Sequence, residues 1–233
     1  EAGTQARAYL ESRGIQSSTC TQFRIGYAPP EWDGLTKAML KEGFTAADLV
    51  AAGLSIPRDQ GGSQKAGASG HYDRFRSRVM FPIVDLRKRI VAFGGRVLGE
   101  GTPKYLNSPE TPLFKKGHTL FALEAARDAA GQQQTLIIVE GYFDAVALHQ
   151  AGIRHVAATL GTALTAEHIA VIRRFASNVV LLFDPDQAGV RAALRTLDLF
   201  VNSGLSVKVV SLPEGDDPDT YVRQYGAEGF AAL

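Results

Sequence analysis

Acidic residues that follow short apolar segments are the residues whose type and spacing could do chemistry in this chain. They are Glu140, Asp144, Asp184, Asp186, Asp216, Asp217 and Asp219. Several carboxylates brought close together cannot all stay ionised without cations, because like charges raise each other's pKa. Hard divalent cations such as Mg²⁺ take oxygen ligands and share them with substrate phosphates. Such ions can stabilise the attacking and leaving oxygens of phosphoryl transfer, so the acids indicate a metal site for that chemistry.

The segments between these acids alternate between strand and helix patterns. The predicted strands are Leu136–Val139, His155–Thr159, Val179–Phe183 and Val207–Leu212, and the predicted helices are Asp144–Ala151, Thr165–Ala176, Gln187–Asn202 and a short one after Asp219. This alternation is typical of βαβ units in a mostly parallel sheet with helices on both faces. The carboxyl ends of parallel strands share one edge of a sheet, where ligands bind. The acids are therefore expected at one edge.

Helix capping is the alternative explanation for two of the acids. Asp144 and Asp186 each precede or open a predicted helix, where a carboxylate can accept hydrogen bonds from the first backbone N–H groups. For either residue alone, capping explains the sequence at least as well as metal binding. The occurrence of acids after three strands favours metal binding for the set.

Charge is separated along the chain although the net charge is only +1. Residues 71–116 contain ten Lys and Arg against four Asp and Glu, whereas residues 117–233 contain eight against thirteen. Two solvated surfaces would be the simplest explanation, but the basic residues are interleaved with aromatic ones, which favours a site for a polyanion. Arg78 and Arg87 are expected on a solvated strand face.

Composition excludes several classes of protein. The chain is 45% hydrophobic and 21% charged, as is usual for a soluble globular protein, and no segment approaches the ~20 apolar residues of a membrane span. Cys20 is the single cysteine, which excludes an intramolecular disulfide and a cysteine-based zinc site. The chain begins at Glu1 and not at Met, so we expect a fragment of a longer protein.

The first part of the chain predicts short helices and then a β-rich segment. Residues 1–57 contain no residues that indicate catalysis, and their helices are expected to serve in packing. Thr45 is the predicted N-cap of a helix over Ala46–Ala52. Phe75–Val84 and Ile90–Leu98 are predicted strands, and the two glycines within the second indicate a bulge or a close backbone approach. Pro103–Pro112 is predicted to be extended, because its three prolines exclude a helix interior.

The acidic motifs resemble those of a known domain. Glu140-Gly-Tyr-Phe-Asp144, Asp184-Pro-Asp186 and Asp217-Pro-Asp219 are similar to the acidic motifs of the Toprim domain. That domain occurs in bacterial primases, topoisomerases, recombination-mediator proteins and some nucleases.

The segments before these motifs reduce the number of families that the chain could resemble. Tyr72–Pro82, Phe93–Arg96, Pro103–Thr111 and Phe114–Gly117 resemble the basic subdomain of the RNA polymerase, or catalytic core, domain of DnaG-type bacterial primases. Phe23–Pro29 resembles a segment near the start of the same core. The resemblance covers nearly the whole chain in the family's order.

This resemblance implies an α/β fold in which a Toprim domain, a parallel four-stranded sheet flanked by helices, follows a mixed α+β basic subdomain. The predicted domains are residues 1–117 for the basic subdomain, 118–226 for the Toprim catalytic domain and 227–233 for the start of a truncated helical region. The implied activity is that of a nucleotidyltransferase, a DNA primase that synthesises short RNA primers from ribonucleoside triphosphates for DNA replication.

The resemblance also implies site residues. The predicted catalytic residues are Glu140, Asp184 and Asp186, and the predicted metal ligands are Glu140, Asp144, Asp184, Asp186, Asp217 and Asp219. The predicted nucleotide and nucleic-acid contacts are Arg74, Arg76, Arg96, Lys104, Tyr105, Asn107 and Lys116. Arg and Lys neutralise phosphates, and Tyr105 or Phe75 could stack on a base of a single strand.

The implied cofactor is Mg²⁺, for which Mn²⁺ can substitute, with no zinc in this part of the protein. The implied partners are a single-stranded DNA template, the RNA primer and ribonucleoside triphosphates. A replicative helicase and a single-strand-binding protein are expected to bind through regions outside this chain. A monomer without membrane contact is expected at the replication fork in the bacterial cytoplasm.

Two features depart from the family pattern, and two alternatives stay open. Pro185 replaces the usual glycine between two acids, and the Arg87-Lys88-Arg89 turn lacks a glycine. One alternative is another Toprim enzyme, such as a topoisomerase or a nuclease, although no separate domain for a tyrosine nucleophile is recognisable. The other is a non-catalytic module that only binds nucleic acid.

Overall fold

The computed structural model describes residues 3–58, 70–183, 197–201, 203–213 and 215–233. Two compact units divide the chain. The N-terminal unit comprises Glu1–Arg13, Cys20–Pro82 and Ile90–Lys115. The C-terminal unit comprises Gly14–Thr19, Ile83–Arg89 and Lys116–Leu233. The predicted domain boundaries after residues 117 and 226 stay predictions.

Short elements make up most of the first half of the chain. They are helices α1 (Thr4–Ser12), α2 (Ser17–Gln22), α3 (Gly34–Lys41) and α4 (Ala46–Ala51), and strands β1 (Gly26–Ala28), β2 (Ser55–Pro57), β3 (His71–Asp73), β4 (Arg78–Val84), β5 (Ile90–Val97) and β6 (Tyr105–Asn107). Strands β1, β4, β5 and β6 form a sheet in that order, and β2 pairs with β3. Thr45 caps α4 as predicted, because its side chain accepts a hydrogen bond from the backbone N of Asp48.

Strands alternate with helices in the second half of the chain. A 3-10 helix (Lys116–His118) is followed by α5 (Leu123–Gln133), β7 (Thr135–Val139), α6 (Tyr142–Gln150), β8 (Val156–Ala158), α7 (Ala166–Ile172), β9 (Asn178–Phe183), β10 (Ser206–Ser211) and α8 (Pro218–Ala231). Within α8 the backbone leaves the helical conformation at Gly226, whose φ is 68°. The predicted helix over Gln187–Asn202 falls mainly on residues outside the described ranges.

The strand order of the second sheet is β10-β9-β7-β8, and all its neighbouring strands are parallel. Both faces of β7 are covered, since Leu136, Ile137, Ile138 and Val139 are all at most 7% exposed. A continuous apolar strand of this kind is the usual consequence of a parallel sheet buried on both sides. The fold is therefore the predicted α/β fold with a four-stranded parallel sheet.

One layer of the core packs against this sheet. Leu136, Ile138 and Leu181 belong to a buried cluster together with residues of α5 and α7, such as Ala126 and Ile172. Burying a side chain of this size contributes about 1.5–3 kcal/mol to folding. This packing fixes the strands whose carboxyl ends carry the acidic residues.

Candidate functional site

The carboxyl ends of β7 and β9 lie side by side. The register pairs Ile138 with Leu181, and its continuation puts Glu140 level with Phe183, the last residue of β9. Glu140 directly follows β7 and has an exposed side chain. Asp184 and Asp186, which follow β9 in sequence, lie outside the described residues. The sheet thus places Glu140, at the end of β7, next to the end of β9. In the sequence, Asp184 and Asp186 follow directly after β9.

Asp144 lies in the first turn of α6 and contacts the start of that helix. Its Oδ2 accepts a hydrogen bond from the backbone N of Gly141 at 3.0 Å. A Cβ at residue 141 would lie 2.5 Å from the same oxygen, so a larger residue would displace the Asp144 carboxylate from this contact. The contact matches the capping role that the sequence leaves open for Asp144, while its predicted metal binding stays a prediction.

Asp217 and Asp219 lie at the start of α8, after β10. Asp217 caps this helix, since its Oδ1 accepts hydrogen bonds from the N and Oγ1 of Thr220 at 2.7 and 2.8 Å. Asp219 is completely buried, and its Oδ1 lies 3.0 Å from Nε of Arg223. A carboxylate shielded from water needs such a partner, because an isolated buried charge is costly. Both acids are therefore held in fixed orientations by their own helix.

The atoms that could bind a metal ion at this edge of the sheet are carboxylate oxygens. Oxygen ligands of this kind fit a hard divalent cation such as Mg²⁺. Within the described ranges, no three His, Cys, Asp or Glu side chains come close enough together to hold a metal ion. The predicted ligand set includes Asp184 and Asp186, which those ranges do not contain. The metal ligands thus stay a prediction, which the presence of carboxylate oxygens at this edge supports.

Trp32 is a candidate nucleic-acid contact that the sequence interpretation missed. Its side chain is 48% exposed, and its ring stacks on that of Tyr72 with centroids 5.1 Å apart. The guanidinium of Arg76 lies 4.3 Å from the centre of the Trp32 ring, and the same arginine donates a hydrogen bond to the Asp73 carbonyl oxygen. An exposed stack of two aromatic rings and an arginine can bind a base and a phosphate.

The backbone positions this stack. The N–H of Asp73 donates to the Trp32 carbonyl oxygen at 2.9 Å, which joins β3 to the turn before α3. The Asp73 carboxylate in turn accepts hydrogen bonds from the backbone N of Leu35 and Thr36, at 2.7 and 2.9 Å. The only sequence signal for Trp32 is a single tryptophan in a turn, which does not show where the ring points.

Arg96 and Tyr105 form a cross-strand pair between β5 and β6. The Arg96 guanidinium lies 5.4 Å from the centre of the Tyr105 ring and 5.6 Å from that of Tyr9. Tyr105 is 38% exposed, and Lys104 beside it is also exposed. These predicted contacts are accessible to a nucleic acid, in keeping with their proposed role.

The Arg74 side chain is hydrogen-bonded to the backbone of Asn107. Nε and Nη2 of Arg74 donate to the Asn107 carbonyl oxygen at 3.3 and 3.0 Å. Burial lowers the pKa of the Arg74 guanidinium below its ordinary value. Arg74 therefore anchors β6, and any contact of either residue with nucleic acid stays a prediction.

Two predictions for neighbouring residues are wrong, and one is confirmed in part. Phe75 cannot stack on a base as it stands, because only 5% of it is exposed and its ring packs edge-on against Phe93. Arg78 does not lie on a solvated strand face, since it is 5% exposed and donates hydrogen bonds to backbone carbonyl oxygens. Arg87 is exposed as expected, although it lies in the turn between β4 and β5 and not on a strand.

Lys116 belongs to a turn that a buried histidine holds. Nε2 of His168, a residue with no exposed surface, lies 2.9 Å from the Lys116 carbonyl oxygen and 3.1 Å from that of Thr119. Thr165 donates its hydroxyl proton to the Gly117 carbonyl oxygen. These side chains of α7 and its N-cap fix the backbone that carries Lys116, and sequence periodicity alone gave no sign of the contact.

Family models match both halves of the chain. The model described as DNA primase catalytic core, N-terminal domain, matches residues 1–127, and a Toprim-like model matches residues 137–222. The DNA primase of Escherichia coli strain K12 is 46% identical over 232 residues, which are 98% of this chain and 39% of that protein. The DNA primase of Clostridium acetobutylicum is 42% identical over 100% of this chain and 37% of its own length. The chain thus spans about two fifths of the length of these relatives.

Solved structures of related catalytic cores have the same fold. The E. coli primase catalytic core is 45% identical and superposes with a TM-score of 0.89, with 99% of this chain and 72% of that chain covered. A DnaG primase catalytic domain bound to single-stranded DNA is 44% identical with a TM-score of 0.87, and covers 99% of this chain and 73% of its own. The RNA polymerase domain of Mycobacterium tuberculosis primase in complex with double-stranded DNA is 33% identical with a TM-score of 0.88, over 100% and 73%.

Proposed function

Because the chain belongs to the DNA primase catalytic core family, we propose that it synthesises short RNA primers from ribonucleoside triphosphates on a single-stranded DNA template. The observation that carries the proposal is the presence of both parts of this core in one chain. A Toprim-like segment alone would also fit a topoisomerase or a nuclease. The match of residues 1–127 to the primase core favours primer synthesis over these alternatives.

The reaction is the attack of a ribonucleotide 3′-hydroxyl on the α-phosphate of an incoming nucleoside triphosphate. A new phosphodiester bond forms, the bond to the β-phosphate breaks, and pyrophosphate leaves. Positioning of the two substrates and stabilisation of charge are the main contributions of a protein to such a transfer. The residues of this chain must therefore bind phosphates, place the hydroxyl and take up its proton.

Glu140 is our candidate for accepting or orienting the proton of the attacking hydroxyl. Its carboxylate is exposed at the end of β7, next to the end of β9. We propose that Glu140, Asp184, Asp186, Asp217 and Asp219, with Asp144 beside them, hold Mg²⁺. When bound, divalent ions supply stabilisation of the charge on the attacking and leaving oxygens.

Basic and aromatic residues of the N-terminal unit are assigned to the template and the nucleotides. Arg76, Arg96 and Lys104 would neutralise phosphates, and the exposed rings of Trp32 and Tyr105 would stack on bases. The single-stranded DNA in the related catalytic domain supports this assignment. Lys116 is proposed to contact a nucleotide phosphate from its 3-10 helix.

Several expectations are not part of this proposal and stay predictions. They concern a replicative helicase and a single-strand-binding protein as partners, a monomeric state and the bacterial cytoplasm as location. None of the helices in the described part of the chain is long and apolar enough to cross a membrane.

Incorporation of labelled ribonucleotides on single-stranded DNA tests the proposed function. With Mg²⁺ or Mn²⁺ the chain should make short RNA products, and Glu140→Gln should lose most of this activity while still binding the DNA strand. Glu228→Gln is the matched control, because Glu228 is also an exposed glutamate of the C-terminal unit. It should keep wild-type synthesis.

The opposite results separate the alternatives. Synthesis at the wild-type rate by Glu140→Gln would exclude the role given to Glu140. If the wild-type chain relaxed supercoiled DNA or cleaved strands, another Toprim activity would replace primer synthesis. If it bound single strands and incorporated nothing with either metal, it would be a binding module.

A further inference from the structure

Arg78 is a charged residue in an unexpected place. It opens β4, and only 5% of its surface is exposed. Arginine is almost never buried to this degree unless its charge is paired, because removing the charge from water costs free energy. In the described ranges, no carboxylate lies within ion-pair distance of Arg78. A specific reason is therefore needed for an arginine at this position.

Backbone carbonyl oxygens surround the Arg78 guanidinium. Nη2 donates to the Pro103 oxygen at 2.9 Å, and Nη1 lies 3.2 Å from the Gly95 oxygen and 3.5 Å from the Lys104 oxygen. The planar guanidinium donates in several fixed directions at once, which an ammonium group does not do. Arg78 thereby joins β5 to the segment that leads into β6.

Gly95 makes room for this contact. A Cβ on residue 95 would lie 2.9 Å from Cδ of Arg78 and 3.0 Å from Cδ1 of Phe75. Both distances are shorter than an ordinary van der Waals contact, so any larger residue would push the Arg78 side chain away from the carbonyl groups. The sequence predicted a bulge or a close backbone approach at the glycines of β5. Gly95 indeed leaves the space that the Arg78 side chain occupies.

The segment that Arg78 holds is otherwise exposed. Residues 99–105 are all exposed to solvent, and they end in the predicted contacts Lys104 and Tyr105. The Lys104 carbonyl oxygen also accepts a hydrogen bond from the N of Val97 at 3.0 Å. The course of the backbone just before Tyr105 is thus set by β5 on one side and by Arg78 on the other.

Positive charge is concentrated around this contact. Burial lowers the pKa of Arg78 most, and the neighbouring charges of Arg76 and Arg96 lower it further. Like charges repel one another, and a phosphate group bound near Arg76 and Arg96 would offset that repulsion.

We propose that Arg78 is a positioning residue, which holds the Pro103 and Lys104 carbonyl groups so that Lys104 and Tyr105 are presented to the phosphates and bases of the bound nucleic acid. This inference rests on the proposed function, in which Lys104 and Tyr105 contact substrate. Arg78 itself is buried and touches neither template nor nucleotide. Its effect on binding passes through the backbone before β6.

A double-mutant cycle tests this role. The readouts are the affinity for fluorescein-labelled oligothymidylate and the KM and kcat for ribonucleotide incorporation. Arg78→Met should weaken binding by about tenfold, because displacement of Lys104 and Tyr105 would weaken their contacts with a phosphate and a base, and should raise KM more than it lowers kcat. Lys104→Ala should have an effect of similar size. In the Lys104→Ala background, Arg78→Met should weaken binding less than it does alone, because one of the two residues that it positions is gone and only Tyr105 remains to be displaced.

Arg87→Met is the matched control. It removes the same charge from an exposed arginine whose side chain donates no hydrogen bond to a carbonyl group in the described structure. The affinity and KM of this variant should be those of the wild type. A purely structural role for Arg78 would lower the melting temperature and leave affinity and KM unchanged. That result, or fully additive effects of Arg78→Met and Lys104→Ala, would overturn the proposal.

Arg78→Lys decides the question if Arg78→Met does not fold. It keeps the charge, but its single ammonium cannot reproduce the fork of hydrogen bonds, so we expect weaker binding and a raised KM. Wild-type binding by Arg78→Lys would overturn the proposal. The affinity measurement does not depend on catalysis. Absence of primer synthesis by the wild-type chain would therefore refute the proposed function without deciding the role of Arg78.

Discussion

Trp32 keeps a large aromatic surface in contact with water. Its ring is stacked on Tyr72 and lies 4.3 Å from the Arg76 guanidinium, yet 48% of the residue is exposed. The hydrogen bonds of Asp73 fix the backbone of Trp32 and of the residues that follow it. A rigid, exposed aromatic surface next to an arginine is suited to stacking against an unpaired base.

We therefore expect Trp32→Leu to weaken binding of oligothymidylate by about 1–3 kcal/mol, the usual contribution of stacking between an aromatic side chain and a base. Fluorescence anisotropy would measure the affinity. Phe44→Leu is the control, because Phe44 is an aromatic residue of the same unit with 54% exposure. Equal affinities of wild type and Trp32→Leu would show that the ring does not contact the strand.

Residue types suggested the acids and the basic residues as site candidates, which stay predictions, but burial did not follow from residue type. The placement of Glu140 after β7 depends only on a local apolar segment, which the sequence displays. The burial of Arg78 depends on Gly95 and on the carbonyl groups of residues 103 and 104, which are distant in sequence. The covering of Phe75 likewise depends on Phe93 in another strand, so neither could be predicted from local pattern.

The link between α7 and the turn at Lys116–Thr119 depends on the protonation state of one histidine. Nε2 of His168 faces two carbonyl oxygens and must donate to them, which leaves Nδ1 to accept from the N–H of Thr165 at 3.2 Å. A second proton, on Nδ1, would point at the Thr165 N–H group, so this hydrogen bond could not form. Burial, as the largest cause, lowers the pKa of His168 below its ordinary value.

Stability of the chain should consequently fall in mild acid. The unfolded chain takes up a proton on this histidine below about pH 6.5, whereas the folded chain resists it. Stability is then highest above that pH and decreases as the pH falls toward the lowered pKa of the folded state. His149, which is also buried and has a lowered pKa, acts in the same direction.

Urea unfolding at pH 8 and pH 5 would measure this dependence. His168→Gln should show a smaller loss of stability between the two pH values than the wild type. His118→Gln replaces an exposed histidine of the adjacent 3-10 helix whose charge also lowers the pKa of His168, so it should reduce the loss less than His168→Gln does. The assignment would be wrong if His168→Gln lost as much stability as the wild type.

Element length decided which parts of the fold the sequence could predict. The strands of the parallel sheet were predicted to within a residue or two, because β7 and β9 are almost continuous apolar segments and β10 is a valine-rich segment that includes Lys208. Strands β1, β2, β3 and β6 have three residues each, too few to show alternation. Pro103–Pro112, predicted only as extended, contains β6 because its pairing with β5 supplies the hydrogen bonds.

The charge separation of the whole chain should determine how it binds nucleic acid. Ten basic residues against four acidic ones in residues 71–116 give that segment an excess of positive charge, while the remaining residues balance it almost completely. Binding that is driven by contacts with phosphates releases counterions and weakens with salt. Net charge alone would not suggest such behaviour.

Affinity for oligothymidylate should therefore fall steeply as NaCl is raised. For single strands, each phosphate contact contributes about −0.7 to the slope of log affinity against log salt concentration. Lys104→Ala should make the slope shallower by about that amount. Lys41→Ala, at an exposed lysine of α3, should leave the slope as it is. An unchanged slope in Lys104→Ala would exclude a phosphate contact by Lys104.

The order of motifs over the whole chain predicted the family, which the comparisons confirm. Composition and periodicity alone would have reached only an α/β protein with a metal-dependent site. The contacts of Trp32 and His168 join segments far apart in sequence. They became visible only in the folded chain.

Strand order β10-β9-β7-β8 lets the parallel sheet grow in a regular way as the chain leaves the ribosome. Strands β7 and β8 can pair first, β9 then adds to the open side of β7, and β10 adds to β9. Glu140 is thus made early, whereas Asp217 and Asp219 follow only after the outermost strand. An incomplete nascent chain would carry some of the proposed acids without the others, and the proposed site could assemble only when translation has passed α8.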